Sequence, residues 1–255
     1  MRSADAVVRR YVDDVMGMPI SLALRGRHTD DSWARAAWAA ALDVLHDADR
    51  VFSTYRDDSW VRRLDRGEVA LDDCPPEVAE VLALGEAARV ASDGAFDVRR
   101  AGPDGRTHLD PSGVVKGWAV QRAAAAFGSL DDTDVCLSAG GDMVCRVADP
   151  ARPDWRVGIE DPRDPRRVLA VVPVRDGAVA TSGIAHRGAH VVDARTGRVP
   201  DGLASVTVVA RDLTWADIDA TAAFARGADA ADWLRARGRT GLVVTSTGEK
   251  TLVGK

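Results

Sequence analysis

The chain of 255 residues carries a net charge of −5 at pH 7, and 46% of its residues are hydrophobic. This length suffices for one large domain or two small ones, and the sequence contains no apolar run long enough to cross a bilayer as a helix. The acidic balance excludes a basic surface for nucleic acid, and three cysteines without C-x-x-C spacing argue against a disulfide framework or a zinc site.

The first third of the chain alternates predicted strand and helix. MRSADAVVRRYVDDVMG has no apolar stretch before its acidic pair, so we expect no secretory signal and a cytoplasmic location. The segment VMGMPISLALRG (15–26) alternates loosely and ends in glycine, which predicts a strand. Thr29 and Asp30 precede a segment whose apolar residues, from Trp33 onward, recur at helical spacing.

Two more helices are predicted before the middle of the chain. One covers EVAEVLALGEAARVA between a Pro-Pro pair and an Asp-Gly pair, and the other runs from Gly117 to Phe127 and ends at a glycine. From Thr133 onward the sequence pattern changes to short runs rich in β-forming residues, separated by GG, DP, DG and RTG turns. These runs are DVCLSA, MVCRV, WRVGIE, VLAVVPV, AHVVDA and LASVTVVA.

The last part of the chain is predicted to contain two helices, 214–226 and 228–237, and a hairpin that pairs GLVVTST with KTLVG. Helices grouped between runs of strands favour the α+β class with largely antiparallel sheet. No repeat and no linker divides the sequence, so we expect a single domain over residues 1–255.

Polar residues interrupt the predicted helix TWADIDATAAFARG. Asp217 and Thr221 are four residues apart and therefore share one face of that helix. A capping box from Thr214 to Asp217 is one interpretation, but it leaves Thr221 unexplained. A carboxylate and a hydroxyl one turn apart can also hold a hard cation through oxygen ligands.

Four other stretches place small residues around polar groups. Tyr55 follows the first long helix and is either a half-buried surface aromatic or a platform for a flat ring. Asp97 and Asp110 bracket a loop before SGVVKGW, where Lys116 is the only lysine in the body of the chain. That stretch could instead be an ordinary glycine turn with a surface lysine, and it is not a standard phosphate-binding motif.

The remaining two stretches lie among the predicted strands. CLSAGGDMVCRV is compatible with a simple hairpin turn. The segment around TSG offers the hydroxyls of Thr181 and Ser182 and is followed by His190 in AHVVDA. A single histidine on a strand is commonly structural, but the small-residue loop and the acidic neighbour Asp193 favour a functional imidazole.

Taken in order, these blocks resemble the ApbE family of FAD:protein FMN transferases. The similarity covers essentially the whole chain, and its most specific part is TSG followed by HVVDARTG and ADIDAT. The resemblance implies mostly antiparallel sheets with helices packed outside, similar to a tandem T-fold. It also implies an enzyme that uses Mg²⁺, takes FAD as substrate, transfers FMN to a Ser/Thr hydroxyl of a client protein and releases AMP.

The resemblance also implies roles for individual residues. Asp217 and Thr221 match magnesium ligands, and Gly113 matches the position whose backbone carbonyl binds the same ion. His190 matches the proposed general base, and Asp217 is counted with it as catalytic. The positions expected to contact FAD, among which Tyr55 matches the flavin-stacking aromatic, are Met16, Tyr55, Ala95, Phe96, Asp97, Asp110, Lys116, Thr181, Ser182 and Val191.

Some positions depart from the family pattern. Residues 98–109 form a shorter segment than the family usually has at this place, so we expect one wall of the cleft to be shorter. Ser112, Gln121, Ala194 and Ala220 also differ from the common residues at their positions, and Asp219 is expected to point elsewhere on its helix. Three alternatives therefore stay open: an FAD pyrophosphatase that gives FMN and AMP, a non-catalytic flavin-binding protein, and an interaction domain without flavin.

Overall fold

The computed structural model describes residues 7–102, 105–184 and 191–254. These residues contain a main sheet of eight strands in which every neighbouring pair is antiparallel. Across the sheet the strands are β1 (Arg9–Val15), β2 (Met18–Gly26), β5 (Thr133–Ala139), β6 (Asp142–Arg146), β9 (Asp176–Gly183), β10 (Leu203–Ala210), β11 (Thr240–Thr245) and β12 (Lys250–Val253). Two separate hairpins are β3 (Arg99–Ala101) with β4 (Thr107–Leu109), and β7 (Trp155–Asp161) with β8 (Asp164–Val174).

Six α-helices occur in the described ranges. They are α1 (Ser32–Phe52), α2 (Trp60–Asp65), α3 (Pro76–Ala91), α4 (Ser112–Ala124), α5 (Leu213–Arg226) and α6 (Ala230–Ala236). Short 3-10 turns cover Leu71–Asp73, Ala125–Ser129 and Gly227–Asp229. Helices combined with antiparallel sheets confirm the predicted α+β class. In the part of the chain that is described, no helix combines the length and hydropathy needed to span a membrane.

The main core lies between the helices and one face of the sheet. In α1, Ala34, Ala37, Ala41 and Leu45 are buried at the three- and four-residue spacing that forms one helical face. Buried residues cover almost the whole circumference of α5, which packs on α4 and on strands β9 and β10. Because α5 is enclosed on all sides, any charged residue on it must find a partner inside the protein.

The opposite face of the sheet is covered by the β7–β8 hairpin. Val157 and Val174 of the hairpin pack against Cys145 and Val179 of the sheet, and Ile159 packs against Leu242. The main sheet is thus buried on both faces in this region. The end of α5 that carries Asp217 lies near the place where the helix layer and the hairpin approach each other.

The structure shifts three predicted element boundaries. The predicted strand 15–26 begins only at Met18, because Met16 has a φ of 57° and forms a turn after an unpredicted strand, β1. Helix α4 starts at Ser112, five residues before the predicted start, since the Pro111 carbonyl accepts bonds from the first helical amides. The predicted helix 228–237 is a 3-10 turn followed by α6.

The structure identifies the N-cap of α1 and corrects one predicted strand. Asp31, which follows Thr29 and Asp30, caps α1 by accepting from the Ala34 amide. The AHVVDA strand is not formed in its described part, because the Asp193 carbonyl accepts bonds from Thr196 and Gly197 within a tight turn. The predicted terminal hairpin is confirmed as β11 with β12.

Candidate active site

A cavity of about 480 Å³ opens where α4, α5 and strand β9 meet the β7–β8 hairpin. This volume falls in the range of small-molecule sites. The structure brings most of the predicted site residues to its wall, although they are far apart in the sequence. The predicted residues that line the cavity are Ala95, Phe96, Asp97, Asp110, Gly113, Lys116, Thr181, Ser182, Val191, Asp217 and Thr221.

Two predicted residues that the structure describes, Met16 and Tyr55, do not line this cavity. Met16 lies half-buried in the β1–β2 turn and packs against the main core. Tyr55 is 98% exposed beyond the C-terminus of α1. His190 lies outside the described residues, so its role stays a prediction. The two cofactor roles assigned to Met16 and Tyr55 likewise stay predictions, without support from the cavity wall.

Three charged side chains form a buried cluster at the cavity wall. The Lys116 ammonium is bonded to Asp142 and lies 3.2 Å from Asp217 Oδ1. The Asp142 and Asp217 residues are each only 1% exposed. Two carboxylates that share one ammonium leave the cluster with one unbalanced negative charge when all three groups are ionised.

Backbone amides hold both carboxylates of this cluster. The Gly117 amide donates to Asp217 Oδ2 at 3.0 Å, and the Thr181 amide donates to Asp142 Oδ1 at 2.9 Å. A side chain at position 117 would bring its Cβ within 2.8 Å of the Leu213 carbonyl oxygen and of Asp217 Cβ. Glycine at this position therefore permits the close approach of α4 and α5 that places Lys116 beside Asp217.

The environment shifts the pKa values of this cluster. Burial raises the pKa of Asp217 to about 6; the Lys116 ammonium opposes that rise, and the Asp142 carboxylate adds to it. Burial also lowers the pKa of Lys116, but the two carboxylates outweigh it and hold that pKa above its ordinary value. The lysine is therefore charged at neutral pH, and Asp217 takes up a proton as the pH falls through about 6.

Two hydroxyl groups and the first turn of α4 lie close to the turn of α5 that carries Asp217. Thr221 follows Asp217 by one helical turn, and its hydroxyl lies 2.8 Å from the Ser182 hydroxyl. A Cβ built on Gly113 would lie 3.8 Å from the Thr221 methyl group, so the first turn of α4 is adjacent to that hydroxyl. One carboxylate with neutral oxygen donors is a set that a hard divalent cation accepts.

These donors do not form a dense acidic cage. In the residues that the structure describes, no group of three or more His, Cys, Asp or Glu side chains could hold a metal ion. A cation bound here would need further ligands from water or from a substrate. That requirement fits Mg²⁺, which keeps several waters and is commonly held by one or two carboxylates and substrate phosphates.

Apolar residues form another part of the cavity wall. Ala95, Phe96 and Val191 are all buried, and each lines the cavity. The Ala194 amide donates to the Ala95 carbonyl at 3.0 Å, so the turn after Val191 is fastened to this wall. Asp193, the acidic neighbour considered for His190, instead binds the Arg195 guanidinium through both oxygens, which lowers the pKa of Asp193.

The short segment 98–109 forms the β3–β4 hairpin beside the cavity. Arg99 and Arg100 of this hairpin line the cavity, and the Arg100 guanidinium lies 3.2 Å from Asp110 Oδ2. Asp97 accepts a bond from the Arg99 amide. The two aspartates that bracket the segment thus stabilise the base of the hairpin as well as facing the cavity.

Two sequence interpretations are decided by these contacts. The capping box from Thr214 to Asp217 is wrong, because Asp212 caps α5 by accepting from the Trp215 amide and Asp217 faces Lys116. Asp142 was not predicted as a site residue. It follows the two glycines of SAGGD, and a carboxylate after a glycine turn between two strands was the available signal.

The comparison with known families agrees with this site. The sequence profile of the ApbE family matches residues 16–103 and 99–244. The chain belongs to the ApbE family. Both matched ranges together contain every predicted site residue, including those at the cavity wall.

Two curated relatives in the ApbE family carry the name FAD:protein FMN transferase. The protein from Rhodobacter capsulatus is 31% identical over 186 residues, which cover 67% of this chain and 34% of the relative. The protein from Vibrio cholerae serotype O1 is 30% identical over 130 residues, which cover 47% of this chain and 39% of the relative. The matched part of the chain thus spans little more than a third of the length of these relatives.

Solved structures share the fold of this ApbE chain. The flavinyl transferase ApbE of Pseudomonas stutzeri, in an apo form, superposes with a TM-score of 0.82 at 22% identity and covers 99% of this chain and 97% of its own. The ApbE protein of Thermotoga maritima superposes with a TM-score of 0.83 at 21% identity, covering 97% of each chain. The predicted ApbE-like fold is therefore confirmed.

Proposed function

We propose that this protein is a magnesium-dependent transferase that moves FMN from FAD to a Ser or Thr hydroxyl of a client protein and releases AMP. The observation that carries the proposal is the buried Lys116–Asp142–Asp217 cluster, with one unbalanced negative charge, at the wall of a cavity that also holds the Thr221 and Ser182 hydroxyls. The names of the curated relatives supply the reaction.

The donor set of the cavity supports magnesium as the cation. Asp217, Thr221 and the Gly113 carbonyl would hold the ion through oxygen atoms alone, which is the ligand type that Mg²⁺ prefers. When bound, Mg²⁺ supplies neutralisation of the negative charge on the phosphate oxygens during phosphoryl transfer. The chain itself has to exclude water and orient the reacting groups.

The rest of the cavity suits a flavin dinucleotide, which has flat aromatic rings and a negatively charged pyrophosphate. The buried wall formed by Ala95, Phe96 and Val191 offers apolar surface, while Arg99 and Arg100 supply positive charge at another part of the cavity. The Lys116 ammonium is charged at neutral pH and balances part of the negative charge of the site. Phosphoryl transfer depends mainly on such positioning and charge stabilisation.

His190 is proposed as the general base that accepts the proton of the client hydroxyl. An imidazole with an ordinary pKa of ~6.5 can take that proton near neutral pH. Val191, the next residue in the chain, lines the cavity, which supports this proposal.

The decisive experiment incubates the purified protein with FAD and Mg²⁺, with and without a client domain that carries a Ser/Thr flavinylation motif. AMP release that depends on the client, together with a client mass increase equal to FMN, is the expected result. AMP and free FMN without client would assign an FAD pyrophosphatase instead. Bound FAD without any AMP would assign a flavin-binding protein without catalysis.

The His190→Asn variant tests the proposed base. We expect FAD affinity within about threefold of wild type and FMN transfer slowed by about a hundredfold or more, since general bases contribute on that scale. His46→Asn, on the exposed side of α1, serves as the control. A loss of FAD affinity without a separate rate effect would make His190 a binding residue.

A further inference from the structure

The Lys116 ammonium lies between two carboxylates that belong to different parts of the fold. Asp142 is the first residue of β6, and its other oxygen is bound to an amide of the neighbouring strand β9. Asp217 belongs to α5, the same helix that carries Thr221. One carboxylate is therefore fixed to the sheet, and the other is grouped with the oxygen donors of the cavity.

The lysine is bound by both carboxylates. It donates a hydrogen bond to Asp142 Oδ2, and its ammonium lies 3.2 Å from Asp217 Oδ1. The Lys116 side chain is 19% exposed, and the carboxylates are 1% and 2% exposed, so solvent does little to neutralise either anion. Lys116 thus acts as an internal cation for Asp217, at the carboxylate that the proposed divalent ion would also use.

We propose that Lys116 competes with the divalent cation for Asp217 and that Asp142 is the positioning residue that retains the ammonium when the cation binds. This inference rests on the proposed role of Asp217 as a magnesium ligand. It assigns to Asp142 a function through Lys116, without any direct contact with the metal. In the absence of metal, Lys116 compensates the charge of Asp217 and keeps that carboxylate in place.

Electrostatics makes the two residues act in opposite directions on metal affinity. The positive charge of Lys116 repels a divalent cation, and its contact with Asp217 has to weaken before the ion can use that oxygen. Asp142 attracts both cations and offers the ammonium an alternative partner that remains in place. Removing the lysine charge should therefore strengthen metal binding, and removing the Asp142 charge should weaken it.

Matched variants separate these effects from loss of the fold. Lys116→Met keeps the length of the side chain without its charge, and Asp142→Asn keeps an oxygen that can accept the Thr181 amide. The double variant Lys116→Met/Asp142→Asn removes one charge of each sign. Far-UV circular dichroism and melting curves in EDTA check that each protein is folded.

The readout is the dissociation constant of Mn²⁺, measured by calorimetry and by the spin resonance of free Mn²⁺, with no FAD present. We expect Lys116→Met to bind Mn²⁺ at least about tenfold more tightly and Asp142→Asn at least about tenfold more weakly. Each variant removes one unit of charge a few ångströms from the proposed metal ligand Asp217. The double variant should lie within about threefold of wild type. If Lys116→Met melts too low for titration, the rise of its Tm with Mn²⁺ should exceed that of wild type.

The outcomes distinguish this inference from the proposed function. The competition between Lys116 and the metal would be overturned if wild type binds Mn²⁺ while both single variants change the dissociation constant in the same direction, or while neither changes it. Absence of Mn²⁺ binding in wild type and in every variant, including those that stay folded, would overturn both the metal assignment and this inference. The metal assignment and this inference are both supported if Asp217→Asn abolishes Mn²⁺ binding and the two single variants change the dissociation constant in opposite directions.

Discussion

Helix α5 carries two buried aspartates two residues apart, and their surroundings differ in the sign of the excess charge. Asp219 is bound by two guanidinium groups, from Arg237 at 2.9 Å and Arg239 at 2.5 Å. Asp217 shares the single ammonium of Lys116 with a second carboxylate. The Asp219 cluster thus has one surplus positive charge, and the Asp217 cluster has one surplus negative charge.

The difference teaches which buried carboxylate is structural and which is available to a ligand. Asp219 joins α5 to the segment after α6 and lies outside the cavity wall, where its charge is fully compensated. Asp134 of β5 is likewise bound by two guanidinium groups, those of Arg25 and Arg152, and it also lies outside the cavity wall. Of the three clusters around Asp134, Asp217 and Asp219, only that of Asp217 lies at the cavity wall, so burial alone does not distinguish the two roles.

The largest expected effect is the loss of FMN transfer in the Asp217→Ala variant. We expect FMN transfer to fall by about a thousandfold or more, because the proposed metal contributes several kcal/mol of transition-state stabilisation. The free energy of unfolding should fall by about 1–2 kcal/mol, because the Gly117 amide loses its acceptor while Lys116 stays paired with Asp142. Acceptor-dependent AMP release and urea denaturation measure the two quantities, and unchanged transfer would contradict the metal assignment.

Asp219→Ala should produce the opposite pattern. We expect a loss of about 3 kcal/mol in the free energy of unfolding, because the buried end of a charge network is removed and two arginines lose their partner. FMN transfer measured below the melting temperature should stay within about threefold of wild type, because Asp219 does not line the cavity. Normal stability combined with lost transfer would place Asp219 in the site and break the comparison.

Gly117→Ala should affect both stability and reaction, because it acts on the contact between α4 and α5. The added Cβ would lie 2.8 Å from the Leu213 carbonyl and from Asp217 Cβ, so the helices have to separate. We expect a loss of about 2 kcal/mol in unfolding free energy from this overpacking and a parallel reduction of Mg²⁺ affinity. Gly128→Ala, where an added Cβ would meet no atom within 4 Å, is the matched control. Unchanged Mg²⁺ affinity in a destabilised Gly117→Ala protein would detach the helix contact from the site.

The smallest expected effect is the pH dependence of metal binding. Burial raises the pKa of Asp217 to about 6, and only the ionised carboxylate can bind a cation. Affinity for Mg²⁺ should therefore reach its full value about one pH unit above that pKa, be about halved at the pKa, and fall by roughly tenfold per pH unit below it. Calorimetric titrations between about pH 5 and pH 7.5 measure this slope. A flat profile over that range would mean that Asp217 stays ionised in the metal-free protein.

Much of the site was predictable from local spacing. Asp217 and Thr221 share a helical face because four residues make about one turn, and this relation holds wherever the helix packs. The blocks that resemble the ApbE family also located Ala95, Phe96 and Val191, which the structure places on the cavity wall. The boundaries of helices and strands were predicted less accurately, because the turn at Met16 and the start of α4 depend on backbone contacts that hydropathy does not encode.

The sequence by itself determined the family, the α+β class and the set of residue types available to the site, because these depend on motif order and local periodicity. Only the tertiary structure decided which buried aspartate keeps an unbalanced charge. The Gly117 amide reaches Asp217 across 100 residues of sequence, and the Thr181 amide reaches Asp142 across 39. Contacts over such separations are set by how α4 packs on α5 and by the register of the sheet, and the free energy that fixes them is shared among many residues.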